Sequence, residues 1–195
     1  MSLLRVRSPR WGLRIALVAV AVTVAAHWWR GDLGTWRPPD VEGPVIGTVT
    51  GRPHLADGDS LAFGDRRIRL VGIDAPELDQ DCTVGGNRRP CGLEARDRLA
   101  QLIAGREVTC AWTRFDKFGR GLARCRVGGT DLGAALVRDG WAVAFGGYAG
   151  EEAEARAAGR GLWAGTFVWP QDFRRRKAIH GTGGAGRFAD PEDDP

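Results

Sequence analysis

Residues 56–78 read A-D-G-D-S-L-A-F-G-D-R-R-I-R-L-V-G-I-D-A-P-E-L, and the rest of the chain is organised around them. This pattern predicts a β-hairpin with a strand over residues 60–63, a Gly-Asp turn and a return strand over residues 66–73. Proline has no amide hydrogen for a sheet and pushes the residue before it into extended geometry. We therefore expect Pro76 to stop the pairing just after Asp74.

Acidic residues mark one end of this hairpin. Asp59 precedes the first strand and Asp74 follows the second, so both carboxylates are expected at the same end of adjacent strands. Arg69 and Glu77 should lie close by. Calcium prefers carboxylate and backbone oxygens, and an arginine can bind a phosphate through two hydrogen bonds. A lone D-G-D is more typical of a turn, so the prediction of a metal and phosphate site depends on the whole combination.

Five motifs follow one another along the chain. They are D-G-D-S-L (57–61), R-I-R-L-V-G-I-D-A-P-E (67–77), D-K-F-G-R-G-L-A (116–123), L-V-R-D-G-W-A (136–142) and G-R-G-L-W (159–163). With these motifs the chain resembles the staphylococcal-nuclease (thermonuclease) family over about residues 44–176. Because several separate motifs occur in the family's order, chance is a poor explanation.

The resemblance implies a Ca²⁺ site. Asp59 and Asp74 match the family's metal-binding carboxylates, and the backbone carbonyl of Ala75 matches a further ligand. Asp57 matches an outer acidic residue near the metal. The family has threonine where this chain has Ala75; a carbonyl ligand survives that change, whereas a hydroxyl contact is lost.

The resemblance also implies residues that act on a phosphodiester. Arg69 and Arg120 match two arginines that hold the scissile phosphate, where cations stabilise the charge that builds up on the oxygens. Glu77 matches the carboxylate that positions or deprotonates the attacking water. The implied substrate-binding residues are Lys117, Phe145 and Tyr148.

The family's tyrosine pair near the nucleotide is imperfectly kept. Phe145 and Tyr148 occupy this region, and two glycines after Phe145 shift the spacing. Phenylalanine can stack on a base but cannot hydrogen-bond a phosphate, so base preference or substrate affinity should be weaker. The alternative is that Phe145 belongs to the core.

The implied activity is that of a calcium-dependent endonuclease, which hydrolyses DNA and RNA by cleaving the 5′ P–O bond. Two other hypotheses stay open: a catalytically inactive nucleic-acid-binding module of the cell envelope, and a structural or partner-binding domain. A module that only binds nucleic acid does not need a pair of metal-binding carboxylates, and a structural or partner-binding domain does not need Glu77. The complete set of charged residues therefore favours the enzyme.

Periodicity predicts alternating strands and helices after the hairpin. The resemblance implies a mainly β, α+β fold, a five-stranded Greek-key barrel of the OB type with about three helices, and the strand count agrees with it. The expected strands cover residues 45–50, 60–63, 66–73, 107–113 and 121–127; residues 141–145 are extended, and the helices cover residues 93–103, 132–139 and 151–158.

The N-terminus has the pattern of an export signal. Four arginines precede the apolar residues 15–26, which predicts a signal peptide or a single membrane anchor over residues 1–30. Either alternative places the domain outside the cytoplasm, as a periplasmic, extracellular or membrane-anchored protein. Residues 31–43 read as a linker, residues 44–177 as the nuclease-like domain, and residues 178–195 as a disordered acidic tail.

The four cysteines lack the C-x-x-C spacing of a zinc site. Cys110 and Cys125 lie symmetrically about the turn between two predicted strands, so a simple register lets them bridge. Cys82 and Cys91 then close the loop after the hairpin. Paired cysteines require an oxidising compartment, which agrees with export; four reduced thiols are the alternative.

The net charge of +4 comes almost wholly from arginine, since the chain has only two lysines. A mildly basic chain is compatible with DNA and RNA as partners, although arginine richness is equally explained by the composition of a genome. The sequence shows no pattern typical of an oligomer, so we expect a monomer and infer no protein partner.

Overall fold

The computed structural model describes residues 43–180. The predictions for residues 1–30, for most of the linker and for the tail beyond residue 180 lie outside the described residues. Within residues 43–180 no helix is long and apolar enough to cross a membrane.

The described chain alternates short strands with four helices. The strands are β1 (Gly47–Gly51), β2 (His54–Leu55), β3 (Ser60–Phe63), β4 (Arg66–Leu70), β5 (Ile73–Asp74), β6 (Cys82–Val84), β7 (Asn87–Arg89), β8 (Val108–Phe115), β9 (Gly121–Val127), β10 (Thr130–Asp131), β11 (Val143–Ala144) and β12 (Thr166–Phe167). The helices are α1 (Cys91–Ile103), α2 (Leu132–Arg138), α3 (Ala149–Ala157) and α4 (Pro170–His180), with a 3-10 turn at Gly161–Ala164.

The predicted hairpin forms, with β3 and β4 paired antiparallel. Gly64 opens its turn at φ +58°, the backbone geometry that a tight hairpin turn requires. The return strand ends at Leu70 rather than at residue 73, because Gly72 takes φ +82° and breaks the ladder. Asp74 instead lies on β5, which pairs with β11.

The largest sheet has the strand order β1-β8-β9-β4-β3-β2, with β10 also paired to β9. Strands β4 and β9 are parallel, and the other neighbours in this sheet are antiparallel. Two residues separate β1 from β2, so the two ends of this strand order come from one stretch of chain. The structure is α+β, and its description as a five-stranded Greek-key barrel stays a prediction.

The core lies between the main sheet and the helices. Alternate residues of β4 and β9 are buried, as expected when one face of a sheet is covered. Helix α1 contributes Ala95, Leu99 and Ile103 at helical spacing. It begins at Cys91, two residues before the predicted start, and Leu93 on this helix is 38% exposed.

Helix α4 is not predicted by the sequence pattern. The predicted disordered tail begins at residue 178, whereas α4 continues to His180, so that boundary was wrong. Trp163 packs edge-on against Phe167 and Trp169 just before the helix, with ring centroids 5.0 and 6.0 Å away. This aromatic cluster and the pairing of β12 with β6 hold the start of α4 against the domain.

Both predicted disulfides are present. Cys110 and Cys125 are direct partners across β8 and β9, with Cα atoms 4.1 Å apart. Cys82 on β6 is bonded to Cys91, the first residue of α1, with Cα atoms 5.7 Å apart. The register predicted from symmetry about the turn is observed at the Cys110–Cys125 bridge. Closer to the turn, a β-bulge between Trp112 and Arg114 shifts the pairing of the two strands.

Removing the Cys110–Cys125 bridge should destabilise the domain. The bond closes a loop of 15 residues, for which loss of the cross-link costs about 3 kcal/mol of unfolding free energy. Both sulfurs are buried, so a Cys110→Ala/Cys125→Ala double variant also loses packing. Urea unfolding of this variant and of the oxidised wild type measures the difference, and equal unfolding free energies would contradict the prediction.

Candidate active site

Two buried carboxylates form the centre of the site. Asp59 and Asp74 are each 2% exposed, and the Arg69 guanidinium joins them. Its Nη2 atom lies 2.9 Å from Asp59 Oδ2 and 2.6 Å from Asp74 Oδ1. The amide of Ala75 also donates to Asp59 Oδ2, at 3.1 Å. The structure thus brings together the two aspartates and the arginine that the hairpin pattern placed side by side.

The D-G-D turn presents Asp59 to the site. Asp57 Oδ1 accepts a hydrogen bond from the Asp59 amide at 2.9 Å, which is the local turn chemistry expected of aspartate. A Cβ on Gly58 would lie 2.9 Å from the Cβ of Ala75, so only glycine lets the turn pack this closely against the segment after β5. Asp57 therefore shapes the turn and adds negative charge beside Asp59.

Burial raises the pKa of Asp59 to about 7; Arg69 opposes this shift, while Asp57 and Asp74 add to it. An unfolded aspartate titrates near pH 4, so between about pH 4 and pH 7 the folded state retains a proton that the unfolded state has lost. The contribution of Asp59 to folding is therefore largest below about pH 4 and is lost as the pH rises to about 7.

A pH series should show this loss of stability. In EGTA, the unfolding free energy of the wild type should fall from pH 4.5 to pH 7.5, and Asp59→Asn should flatten the curve because it removes the titrating group. Asp116, whose pKa is lowered, loses its stabilising contribution only at more acidic pH. Wild-type and Asp59→Asn curves of equal slope would contradict the assignment.

Arg120 is held beside the carboxylates from the β8–β9 turn. Asp116 Oδ2 accepts from Arg120 Nε at 2.7 Å, and Asp116 Oδ1 accepts from the amides of Phe118 and Arg120. Burial alone would raise the pKa of Asp116, but these hydrogen bonds outweigh burial and lower it. Arg120 Nη1 lies 3.4 Å from Ser60 Oγ, which itself donates to Asp59 Oδ1 at 3.0 Å. Ser60 therefore connects Arg120 to Asp59.

Glu77 lies on the loop after β5, where Gln80 shapes the backbone. The side-chain oxygen Oε1 of Gln80 accepts a hydrogen bond from the backbone amide of Glu77 at 3.3 Å. The backbone amide of Gln80 donates to the backbone carbonyl of Glu77 at 2.8 Å. Gln80 is 1% exposed, and its Nε2 donates to the Val168 carbonyl at 2.6 Å. A buried glutamine thus ties the Glu77 loop to the segment that leads into α4; no signal in the sequence singles it out.

Arg174 on α4 is a second residue that sequence reasoning missed. Its Nη1 donates to Asp74 Oδ1 and to Glu77 Oε1, each at 2.9 Å, and its Nη2 donates to Asp74 Oδ2 at 2.9 Å. Burial would lower the pKa of Arg174, but these hydrogen bonds outweigh burial and raise it. The F-R-R-R-K sequence at residues 173–177 reads as a solvated charge run, and only the tertiary structure shows which arginine turns inward.

The predicted substrate-binding residues lie in different environments. Lys117 is at the tip of the β8–β9 turn, with Nζ 5.0 Å from the Phe118 ring centroid. Phe145 is 59% exposed, so its side chain is not part of the core. Its amide donates to the carbonyl of Gly72, two residues before Asp74.

Tyr148 lies in the core, not on the surface. It is 2% exposed, and its hydroxyl donates to Asp131, with oxygens 3.1 and 3.2 Å away. Burial, followed by the charge of Asp131, raises its pKa. Its ring also blocks side chains at Gly72 and Gly133, where an added Cβ would lie 3.1 and 3.0 Å from the Tyr148 Cε2 atom. We therefore assign Tyr148 to packing and leave it out of the substrate-binding set.

The donor set suits a hard cation. Two buried carboxylates lie within hydrogen-bond distance of one guanidinium nitrogen, that of Arg69. Carboxylate oxygens with backbone carbonyls and water are the usual ligands of calcium. In the part of the chain that the structure describes, no three His, Cys, Asp or Glu side chains form a metal-binding group by themselves.

Comparison with known proteins shows which family this chain resembles. Residues 67–165 match the staphylococcal nuclease homologue family. An uncharacterized endonuclease of Escherichia coli O157:H7 is 32% identical over 150 residues, 71% of this chain and 88% of the relative. A probable staphylococcal-like nuclease of Oryza sativa subsp. japonica is 38% identical over 60% of this chain and 31% of its own length.

A third relative is not named as a nuclease. The succinoglycan biosynthesis protein ExoI of Rhizobium meliloti (strain 1021) is 33% identical over 124 residues, 59% of this chain and 64% of the relative. The chain thus spans less than two thirds of this protein and about a third of the rice nuclease. The family match covers half of the chain, and the match to the Escherichia coli protein covers most of that relative. The chain therefore belongs to the staphylococcal nuclease family.

Proposed function

We propose that this protein is a calcium-dependent endonuclease that hydrolyses the 5′ P–O bond of phosphodiesters in DNA and RNA. The observation that carries the proposal is the joint placement of Asp59 and Asp74 around one guanidinium, that of Arg69. The relatives named as endonuclease and nuclease support the same reaction class.

Asp59, Asp74 and the backbone carbonyl of Ala75 would hold Ca²⁺, with Asp57 as an outer negative charge. When bound, the cation supplies Lewis-acid stabilisation of the phosphate oxygens. Water and backbone carbonyls complete the coordination of such sites. The aspartates already lie within the reach of one guanidinium, so little rearrangement of the backbone is needed to bring them to one ion.

The remaining charged residues act on the substrate. Arg69 and Arg120 hold the scissile phosphate from two sides and stabilise the charge that develops on its oxygens. Arg120 is preorganised for this, since Asp116 binds its Nε at 2.7 Å and leaves the other end of the guanidinium directed toward Ser60. Glu77 orients the attacking water and accepts its proton. Lys117 and the exposed Phe145 contact the flanking nucleotides by charge and stacking.

The proposal extends to architecture and location. The catalytic domain begins at residue 44 and includes all of α4, which ends at His180, and it is a five-stranded OB barrel of the kind that the family implies. The two disulfides support an oxidising compartment, so the domain acts outside the cytoplasm, as a monomer behind a signal peptide or membrane anchor.

Digestion of single-stranded DNA and RNA by the full-length protein tests this function. We expect cleavage with calcium, none with excess EGTA, and 5′-hydroxyl and 3′-phosphate ends, because cleavage of the 5′ P–O bond leaves the phosphate on the 3′ side. A folded, oxidised protein that binds DNA but does not cleave it with calcium would overturn the enzyme and favour the inactive binding module.

A further inference from the structure

Helix α4 places a cation on the carboxylates that the proposed metal site uses. Arg174 makes three hydrogen bonds of 2.9 Å, two with Asp74 and one with Glu77. Asp74 Oδ1 also accepts from Arg69 at 2.6 Å. Both carboxylate oxygens of Asp74 are therefore engaged by guanidinium groups, one of which comes from outside residues 67–165, the part of the chain that matches the family.

The position of Arg174 is built into the domain and does not depend on this contact alone. Gln80 donates to the Val168 carbonyl just before the helix, and β12 pairs with β6. Lys177, one turn after Arg174, lies with its Nζ 2.5 Å from Asp79 Oδ2. Arg174 and Lys177 occupy one face of the helix, as residues three apart do, and this face is directed at the loop that carries Glu77.

We propose that Arg174 sets the affinity of the site for its divalent cation, because its guanidinium and the metal bind the same oxygens of Asp74 in turn. The inference rests on the proposed function. A guanidinium that binds a carboxylate through two nitrogens uses the lone pairs that a metal ion needs. A cation at Asp74 therefore displaces Arg174 and weakens the docking of α4.

The competition lowers the observed affinity for the metal by a factor that depends on how often Arg174 is docked on Asp74. If only a fraction of molecules has Asp74 free of Arg174, the apparent dissociation constant of the metal rises by the inverse of that fraction. With Arg174 docked in nine molecules out of ten or more, that factor is about 10 or greater. An arginine side chain stays charged throughout the physiological pH range, so deprotonation of Arg174 does not relieve the competition.

Calcium titration by calorimetry on the full-length protein tests the inference without measuring cleavage. Arg174→Ala should lower the dissociation constant at least ~10-fold. Arg174→Lys keeps the charge but cannot bind Asp74 through two nitrogens. The calcium affinity of this variant should therefore lie between those of the wild type and Arg174→Ala. The matched control is Arg175→Ala: Arg175 is the next residue, carries the same charge, is 67% exposed and pairs with Asp172 on its own helix. The calcium dissociation constant of Arg175→Ala should stay within about twofold of the wild-type value at physiological salt.

Hydrogen exchange separates displacement from simple charge repulsion. Calcium should accelerate amide exchange in residues 170–180 of the wild type, whereas in Arg174→Ala it should leave that exchange unchanged. Equal calcium affinities of the wild type and Arg174→Ala, or unchanged exchange of α4 in the wild type at saturating calcium, would overturn the inference and leave the proposed metal site intact. Absence of calcium binding in all variants would overturn both.

Discussion

Arg120→Ala should lower the rate of calcium-dependent DNA cleavage at least ~100-fold. This is the usual cost of removing one preorganised hydrogen-bond donor that stabilises the charge of the transition state. The Arg120 guanidinium is fixed through Nε by Asp116, and its Nη1 lies 3.4 Å from the hydroxyl of Ser60. Because this arginine is held in place before substrate binds, no reorganisation is needed when charge develops on the phosphate. Single-turnover cleavage at saturating calcium and enzyme measures the effect.

Arg96→Ala is the matched control for that experiment. Arg96 lies on α1 and pairs with its neighbour Asp97, so its removal changes the net charge by the same amount as Arg120→Ala without changing the site. Its cleavage rate should stay near that of the wild type. A rate for Arg120→Ala equal to that of Arg96→Ala would contradict the role given to Arg120.

Gly92→Ala should damage both the fold and the site. A Cβ at position 92 would lie 1.7 Å from the carbonyl oxygen of Glu77 and 2.9 Å from the carbonyl carbon of Leu78. The first turn of α1 and the Glu77 loop would have to separate, which we expect to cost on the order of 3 kcal/mol of unfolding free energy, at the upper end of the overpacking range. Displacing Glu77 by about 1 Å would lower cleavage by about 100-fold.

Gly150→Ala in α3 provides the comparison. A Cβ at Gly150 meets no atom within 4 Å, and alanine is the better helix former by about 1 kcal/mol, so this variant should be as stable as the wild type or more stable. Urea unfolding and cleavage are measured on both variants. Wild-type stability and activity of Gly92→Ala would show that α1 does not hold the Glu77 loop in place.

The centre of the site is local in sequence, and for that reason it could be predicted. The short Gly-Asp turn pairs β3 with β4, which brings Asp59, the residue before β3, beside Arg69 on β4; Asp74 follows five residues after Arg69. The Cys110–Cys125 bridge was predictable for the same reason, because symmetry about one turn determines which residues of a hairpin face each other.

The parts that could not be predicted depend on long-range contacts. Arg174 reaches Asp74 across 100 residues of chain, and three consecutive arginines at 174–176 give no indication of which one faces the domain. Tyr148 is buried, and its hydroxyl donates to Asp131, a partner that no local pattern shows. The break at Gly72 depends on a positive φ that the alternating pattern of β4 does not reveal.

The rate of single-stranded DNA cleavage by Glu77→Gln at saturating calcium tests the central claim most directly. Glutamine has nearly the shape of glutamate and can still accept a hydrogen bond from Arg174, but it cannot take the proton of the attacking water. The account predicts calcium-dependent cleavage by the wild type and a rate at least ~100-fold lower for the folded variant. Cleavage by Glu77→Gln at the wild-type rate would contradict it.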